Sequence, residues 1–214
     1  MAVVGASASQ MGAWTETALV TITKYASAGG TDLEYAAITE TIDIDFGDKG
    51  VDQIANLKGG RIVKKTPQDI ATITFEGYPL FVASATTPYP SQMFESGTYD
   101  TSEPIQQPSN LGRDTFRVVI MWTDDVAATA AAGLTAASTN AYRVIFAHAW
   151  MTSLKPSFTD GILKFTFEFK CPAFNKNGTS QICEQSGDNT ALVSLTGFGT
   201  TGYNPLSTAA AYTW

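Results

Sequence analysis

The sequence predicts one mainly β domain with a single helix and an extended arm at each end. Three observations lead to this prediction. Several segments alternate apolar and polar residues with a period of two, which is the period of side chains along a strand. Turn-forming residues separate these segments, and only one segment has a helical pattern. The length of 214 residues suits one generous β domain with arms.

The clearest strand signal is "GILKFTFEFKCP", residues 161–172. In an extended strand, neighbouring side chains point to opposite faces. The apolar face then consists of Leu163, Phe165, Phe167 and Phe169, and the polar face of Lys164, Thr166, Glu168 and Lys170.

Further strands are predicted at 18–26, 36–47, 61–67, 69–79, 113–125 and 141–154. In two of them the same alternation gives polar faces with Thr41, Asp43, Asp45, Thr72, Thr74 and Glu76. The 113–125 segment is apolar on both faces, which indicates a central strand. The short link 155–161 favours an antiparallel hairpin between the last two long strands.

The other segments complete the predicted organisation. Residues 1–17 form an N-terminal arm, 18–195 the β domain, and 196–214 a C-terminal arm. The segment 48–60 is predicted as a turn-rich link, and the Pro-rich segment 81–113 as a long loop, which usually has a function in a compact domain. Residues 124–137 are the helix candidate, with an Ala-rich flexible loop as the alternative.

Composition limits the classes of function. The chain is 44% hydrophobic, yet only 15% of it is charged, which favours a subunit that buries surface against partners over a Ser- and Thr-rich monomer. The formal charge of −7 argues against a surface that grips nucleic-acid phosphates. No secretory signal or membrane-spanning run is visible, so we expect synthesis in a cytoplasm.

The two cysteines flank a predicted hairpin. The loop Lys176–Asn177–Gly178 pairs Asn175 with Thr179, and extending this register places Cys171 opposite Cys183. A cross-strand disulfide between them is one interpretation. Two buried free thiols in a reducing cell are the alternative.

No catalytic or metal-binding cluster is predicted. The one histidine, His148, lies in an apolar strand and is interpreted as a core residue. The acidic run 43–52 lacks the Gly and Glu positions of an EF-hand, although Asp43, Asp45, Asp48 and Asp52 leave a looser calcium site open. A zinc site formed by His148, Cys171 and Cys183 is not supported by any C-x-x-C spacing in the sequence. We therefore expect a non-enzyme with no cofactor.

Several ordered blocks resemble the major tail tube proteins of tailed viruses, bacteriophage-like or archaeal. They are "AITETIDIDFGDKGVDQIANLKGGRIVKKTPQDIATITFEGYPL", "FRVVIMWTDD", "AYRVIFAHAWMTSLKPSFTDGILKFTFEFKCPAFNKNG" and "EQSGD". The resemblance covers roughly residues 36–80 and 114–195 and contains no short invariant motif.

This resemblance implies an antiparallel β-sandwich or barrel of the tail-tube type with one flanking helix. It also implies a structural virion protein whose rings, usually hexameric, stack into a hollow tail tube that conducts DNA. Implied partners are other copies of the chain, the tape-measure, baseplate or tail-tip and terminator proteins, and DNA in transit, with no membrane. Assembly in the host cytoplasm is expected.

Two sets of candidate residues follow for such a tube. The lumen-side candidates are Thr72, Thr74, Glu76, Lys164, Thr166, Glu168, Lys170, Thr41, Asp43 and Asp45. The candidates for contacts between rings or subunits are Phe46, Asp48, Val51, Ile54, Leu57, Phe198, Tyr203, Tyr212 and Trp214. An acidic lumen would repel phosphates, and Lys164 and Lys170 are expected to pair with carboxylates.

Alternative functions stay open. The chain could be the inner tube of a contractile injection system, a capsid decoration protein or another filament subunit. A carbohydrate-binding sandwich would use Trp122, Trp150 and Tyr142 as platforms, but their apolar strands favour core packing instead.

Overall fold

The computed structural model describes residues 17–24, 33–34, 41–56, 58–78, 90–95, 114–123 and 140–188. The helix candidate 124–137, the C-terminal arm 196–214 and the N-terminal arm up to residue 16 lie outside the described residues. Predictions for those segments stay predictions.

Ten strands and one short helix make up the described part, and the strands pair antiparallel. The mainly β prediction is therefore confirmed. In chain order the elements are β1 Thr17–Lys24, β2 Leu33–Glu34, β3 Ile42–Asp45, β4 Lys49–Ala55, β5 Arg61–Gln68, β6 Ala71–Gly77, α1 Pro90–Glu95, β7 Phe116–Thr123, β8 Asn140–Thr159, β9 Ile162–Cys171 and β10 Ile182–Asp188.

The main sheet runs in the order β2-β1-β7-β8-β9-β6-β3 and curls into an open half-barrel, with β10 also paired to β8. The 20-residue β8 belongs to both halves. Its first half pairs with β7 and β10, and its second half pairs with β9. We call β2, β1, β7, the first half of β8 and β10 sheet A, and the second half of β8, β9, β6 and β3 sheet B.

Two irregularities in β8 mark the passage from sheet A to sheet B. The pairs Phe116–Ala149 and Val118–Phe146 leave one extra β8 residue opposite β7. The pairs Met151–Phe169 and Ser153–Glu168 leave Thr152 as an extra residue opposite β9. Because a β-bulge bends its strand and increases the local twist, these two bulges let one strand serve both sheets.

The core lies between the inner faces of the two sheets. Phe75, Phe167 and Phe169 are fully buried, and the Phe75 and Phe167 rings stack at a centroid distance of 4.9 Å. Sheet A contributes Val118, Ile120, Val144 and Phe146 to the same cluster. The alternation predicted for β6 and β9 is confirmed, since apolar positions in both strands are buried and the intervening polar ones are not.

The prediction of a turn-rich link at 48–60 is wrong. Residues Lys49–Ala55 form β4, which pairs with β5 as a separate two-stranded sheet, the β4–β5 hairpin. Gly47 lies where this hairpin leaves sheet B, with a φ of 77° and with the Asp69 carbonyl oxygen 2.6 Å from where a Cβ would lie. A side chain at position 47 would therefore clash with the backbone.

The prediction of a link at 155–161 is also too long. Residues 155–159 continue β8, and the turn consists of Asp160 and Gly161 alone. Both have positive φ, 56° and 78°, as a two-residue type I′ turn requires. The predicted hairpin itself is confirmed.

The central core position Phe167 gives a direct test of the packing. Phe167→Ala should lower the free energy of unfolding by about 3–5 kcal/mol, because a buried ring is replaced by a cavity. The matched control is Phe174→Ala, whose ring is 48% exposed and should matter far less. Urea unfolding followed by circular dichroism measures both, and equal losses would contradict the described core.

Candidate functional site

The predicted lumen-side residues come together on one face of sheet B. The register of β3, β6 and β9 aligns them in rows, and residues paired across strands share a face. The rows are Asp45–Thr72–Lys170, Asp43–Thr74–Glu168 and Glu76–Thr166. Lys164 lies one row beyond Glu76 along β9, and Thr41 directly precedes β3. We call this surface the polar face.

The second half of β8 adds residues that the sequence did not reveal. Trp150, Ser153, Lys155 and Ser157 pair with Lys170, Glu168, Thr166 and Lys164 of β9 and so extend the polar face. The bulge at Thr152 shifts the alternation by one residue, which hid this face in the pattern. Core packing of Trp150 was the wrong interpretation, because its register places it on the polar face beside Lys170.

Both lysines predicted for this face contact carboxylates of the same chain. Lys164 Nζ lies 3.0 Å from Glu76 Oε2, and this hydrogen bond raises the pKa of Lys164. Lys170 Nζ lies 3.7 Å from Glu168 Oε1, and the hydroxyl of Thr152 donates to the same oxygen at 2.9 Å. The expected carboxylate pairing is present.

The charge of the polar face is nearly balanced. Its described residues include four carboxylates, Asp43, Asp45, Glu76 and Glu168, and three amines, Lys155, Lys164 and Lys170. An acidic face was expected, and Lys155 is the residue that changes the count. Such a face holds a polyanion weakly and repels it only weakly.

Sheet B ends on both sides in an edge that has no strand partner among the described residues. At one side β3 pairs only with β6. At the other side, residues 150–159 of β8 pair only with β9, because β7 and β10 pair with β8 between residues 140 and 149. Unpaired backbone donors and acceptors at such edges are ready to pair with another strand.

The β4–β5 hairpin carries the exposed candidates for contacts between subunits. Val51 and Ile54 are 62% and 51% exposed, and Ile62 and Val63 on β5 are similarly exposed. Asp48 is exposed at the base of the hairpin. An isolated hairpin with apolar residues on both faces is marginally stable in water, which favours contact with another surface.

The other interface candidates have different outcomes. Phe46 is half-buried and stacks on Phe146 of the same chain at 6.2 Å, so its ring is part of the core edge. Leu57, Phe198, Tyr203, Tyr212 and Trp214 lie outside the described residues.

Cys171 and Cys183 are free thiols, the second of the two interpretations, and the strand pairing does not place them opposite each other. The hairpin itself is confirmed, with Asn175 N donating to Thr179 O at 2.9 Å. Its pairing ends at Gln181, whose carbonyl accepts from Ala147 N, so the following residues pair with β8. Cys183 is therefore opposite Ile145, while Cys171 is opposite Ala71.

Burial controls the titration of the reactive side chains. Burial raises the pKa of the Cys171 thiol to about 12 and lowers the pKa of His148 to about 4. His148 is only 1% exposed, which confirms its interpretation as a core residue. Neither group is charged at neutral pH, which leaves both unsuited to nucleophilic or acid–base chemistry.

Within the described ranges, no group of three or more His, Cys, Asp or Glu side chains could hold a metal ion. Asp43 and Asp45 lie on the polar face, whereas Asp52 lies on the β4–β5 hairpin opposite Lys64. The looser calcium site therefore has no cluster behind it. No described helix is long and apolar enough to cross a membrane.

Trp122 and Tyr142 form an aromatic pair at the border of the core. Their rings stack at 5.7 Å, and the Tyr142 hydroxyl donates to Glu184 Oε2 at 2.9 Å. Burial and this acidic neighbour raise the pKa of Tyr142 to about 12. Both rings pack against the core cluster, as expected from their strands.

Comparison with known proteins gives structural similarity only. No family model and no curated protein matches the chain. The chain is similar to a protein of the PVC sheath–tube complex, an extracellular contractile injection system, at 12% identity and a TM-score of 0.49, covering 86% of this chain and 100% of the other. The tube-terminating cap of the anti-feeding prophage matches at 13% identity and a TM-score of 0.42, covering 87% and 100%. Hcp1 from E. coli matches at 11% identity and a TM-score of 0.36, covering 81% and 99%.

The thiol assignments can be tested by alkylation with iodoacetamide at pH 8. In native protein Cys171 should stay unmodified, because its raised pKa keeps it a buried thiol, while half-buried Cys183 reacts slowly. In urea without reductant both should react, as mass spectrometry would show. Modification that requires prior reduction would instead indicate the disulfide.

The lowered pKa of His148 predicts a loss of stability in acid. Between pH 6.5 and about 4 the unfolded chain binds a proton that the folded chain does not. The free energy of unfolding should therefore fall by up to roughly 3 kcal/mol across this window as pH decreases. His148→Phe should remove this component of the pH dependence.

The same pKa can be read directly, because His148 is the single histidine. Its imidazole proton resonances in folded protein should titrate near pH 4. A midpoint near 6.5 would show that the ring is solvated.

Proposed function

We propose that the chain is a structural subunit that joins other copies of itself into rings, expected to be hexameric, which stack into a hollow tube. One observation carries this proposal: sheet B has a buried apolar face, a polar face, and two edges without a strand partner among the described residues. Copies joined edge to edge would close these sheets into a barrel whose polar faces line a water-filled bore.

The β3 edge of one copy is better suited to pair with the β8 edge of another copy than with a second β3 edge. The β3 edge is short, four residues in Ile42–Asp45, whereas the β8 edge extends from residue 150 to 159. Unlike edges give a head-to-tail contact, which closes into a ring when the rotation between copies divides the circle.

Pro156 supports the assignment of the second half of β8 as an edge. Counting from the two-residue turn, Thr159–Ile162 exchanges backbone hydrogen bonds with its partner and Pro156–Phe165 does not. The nitrogen of Pro156 therefore points away from β9, and its missing donor costs sheet B nothing. The same proline leaves a gap in the free edge, so an incoming strand has a restricted choice of register.

The content of the bore defines the finer proposal. The sequence blocks that resemble major tail tube proteins favour the tail tube of a tailed virus, which conducts DNA during ejection and is assembled in the host cytoplasm. The tube would then contact tape-measure, baseplate or tail-tip and terminator proteins. This role needs no catalytic residue, cofactor or membrane.

The inner tube of a contractile injection system is the second candidate. The nearly balanced charge of the polar face favours it, because a bore for DNA gains from repelling phosphates and a bore for protein cargo does not. To distinguish the two candidates, assembled tubes can be offered DNA segments of different lengths and proteins of acidic or neutral charge. The cargo that enters the bore then indicates which candidate is correct.

A labelling experiment tests whether the polar face lines a bore. In a Cys183→Ser background, Thr74→Cys and Thr166→Cys should react with both a small maleimide and a bulky polyethylene-glycol maleimide before assembly. In assembled tubes the small reagent should still react, and the bulky one should lose most of its reactivity because it enters only from the ends.

The control is Asn177→Cys at the exposed hairpin turn, which should react with the small reagent in both states. Equal access of the bulky reagent to Thr74→Cys before and after assembly would place the polar face on the outside. Wild-type protein that neither pellets nor forms rings at high concentration would contradict the proposed function itself.

A further inference from the structure

The two most exposed apolar features of the described chain lie at opposite ends of sheet B. The β4–β5 hairpin leaves between β3 and β6, at the end of the sheet where Asp45, Thr72 and Lys170 form a row. The turn between β8 and β9 lies at the other end, beyond Glu76 and Thr166. A copy shifted along the strand direction would therefore bring the hairpin of one chain towards the β8–β9 turn of the next.

The β8–β9 turn carries apolar side chains that the core of its own chain does not cover. Phe158 and Leu163 pair directly across the two strands and continue the apolar face of Phe165 and Phe167. Phe167 is fully buried, whereas Leu163 is 37% and Phe158 73% exposed. We call Phe158 and Leu163 the overhang, because sheet B extends here beyond the core.

The β4–β5 hairpin carries a matching pair near its own turn. Ile54 and Ile62 are directly opposite each other and are 51% and 58% exposed. The turn that follows is fixed by its own hydrogen bonds, since Asn56 N donates to Gly60 O at 2.9 Å and the Asn56 carboxamide accepts from Lys58 N and Gly60 N. These hydrogen bonds fix the end of the hairpin, so the Ile54–Ile62 pair is presented in a fixed geometry.

Charge favours another copy of this chain as the partner. The β4–β5 hairpin, residues 49–68, contains five Lys or Arg residues and one acid, Asp52. Since the whole chain has a formal charge of −7, the rest of the chain carries −11. A basic hairpin on an acidic body is attracted to the body of a second copy, and screening by salt should weaken this attraction.

We propose that the Ile54–Ile62 pair of one copy docks on the Phe158–Leu163 overhang of the copy in the next ring. This inference rests on the proposed tube and names the receiving surface of its stacking contact. Docking removes four exposed aliphatic and aromatic side chains from water, each of which gains from burial. Because donor and receiver are different surfaces at opposite ends, every copy offers one of each and the stack continues without closing.

Introducing opposite charges on the two sides of the contact tests the proposal in the full-length protein. Phe158→Glu should weaken stacking so that tube length falls about tenfold or more, because an unpaired carboxylate would be buried in an apolar contact. Ile62→Lys should act in the same direction. The double variant should recover a large part of the tube length, because each contact then holds a Glu–Lys pair. Negative-stain electron microscopy and sedimentation measure the lengths.

Matched controls use exposed apolar residues outside the contact. Phe174→Glu and Ile70→Lys alter side chains that are 48% and 56% exposed and should leave tube length unchanged. Since all the altered residues are exposed, urea unfolding of the unassembled variants should confirm that each is folded.

The outcomes separate this inference from the proposed function. If the wild type and Phe158→Glu form tubes of the same length, the docking contact is wrong and the proposed tube still stands. Failure of the double variant to recover any length would also count against direct contact. Gel-shift binding of DNA to the wild type that Ile62→Lys strengthens, with no change in stacking, would assign the basic hairpin to nucleic acid instead.

Discussion

The pairing of β8 with β9 is the interaction on which the rest of the structure depends. It aligns Leu154 with Phe167 on the core side and Lys155 with Thr166 on the polar side, so one ladder serves two environments. The bulge at Thr152 makes this alignment possible, because without the extra residue every later side chain of β8 would change face. The Thr152 hydroxyl then contacts Glu168, which fixes the bulge to the polar face.

The described part of a single chain buries the apolar side of this arrangement and leaves its other surfaces uncovered. The Phe rings of β6 and β9 are buried within the chain, yet both edges of sheet B, the β4–β5 hairpin and the Phe158–Leu163 overhang lack cover among the described residues. Lateral joining of edges and axial docking of hairpins are independent contacts that would satisfy different groups. The two contacts together are what a stacked ring requires, and neither alone gives a tube.

Local alternation made much of the fold predictable from sequence, and long-range partner choice did not. Strands β6 and β9 and the polar face from Asp43 to Lys170 follow from period-two patterns. Strand β4 was missed because the residues around Gly50 do not alternate between apolar and polar. The strand is defined by its pairing with β5, which its own sequence does not show. The register that would place Cys171 opposite Cys183 is absent, because the chain pairs across the hairpin up to Gln181 and with β8 from Ile182 onward. Counting residues outward from the hairpin turn does not reveal this change of partner. Lys155 was overlooked because the Thr152 bulge shifts the alternation of every later residue in β8. Trp150 was assigned to the core because it lies in an apolar segment of that strand.

Electron cryomicroscopy of particles grown from concentrated protein shows whether water in a shared bore faces the polar side of sheet B. We predict a hollow cylinder whose inner wall is one continuous sheet, with the β3 edge of each copy beside the β8 edge of its neighbour and Thr74 and Thr166 pointing inward. A solid filament, or a cylinder that carries these threonines on its outer surface, would contradict it.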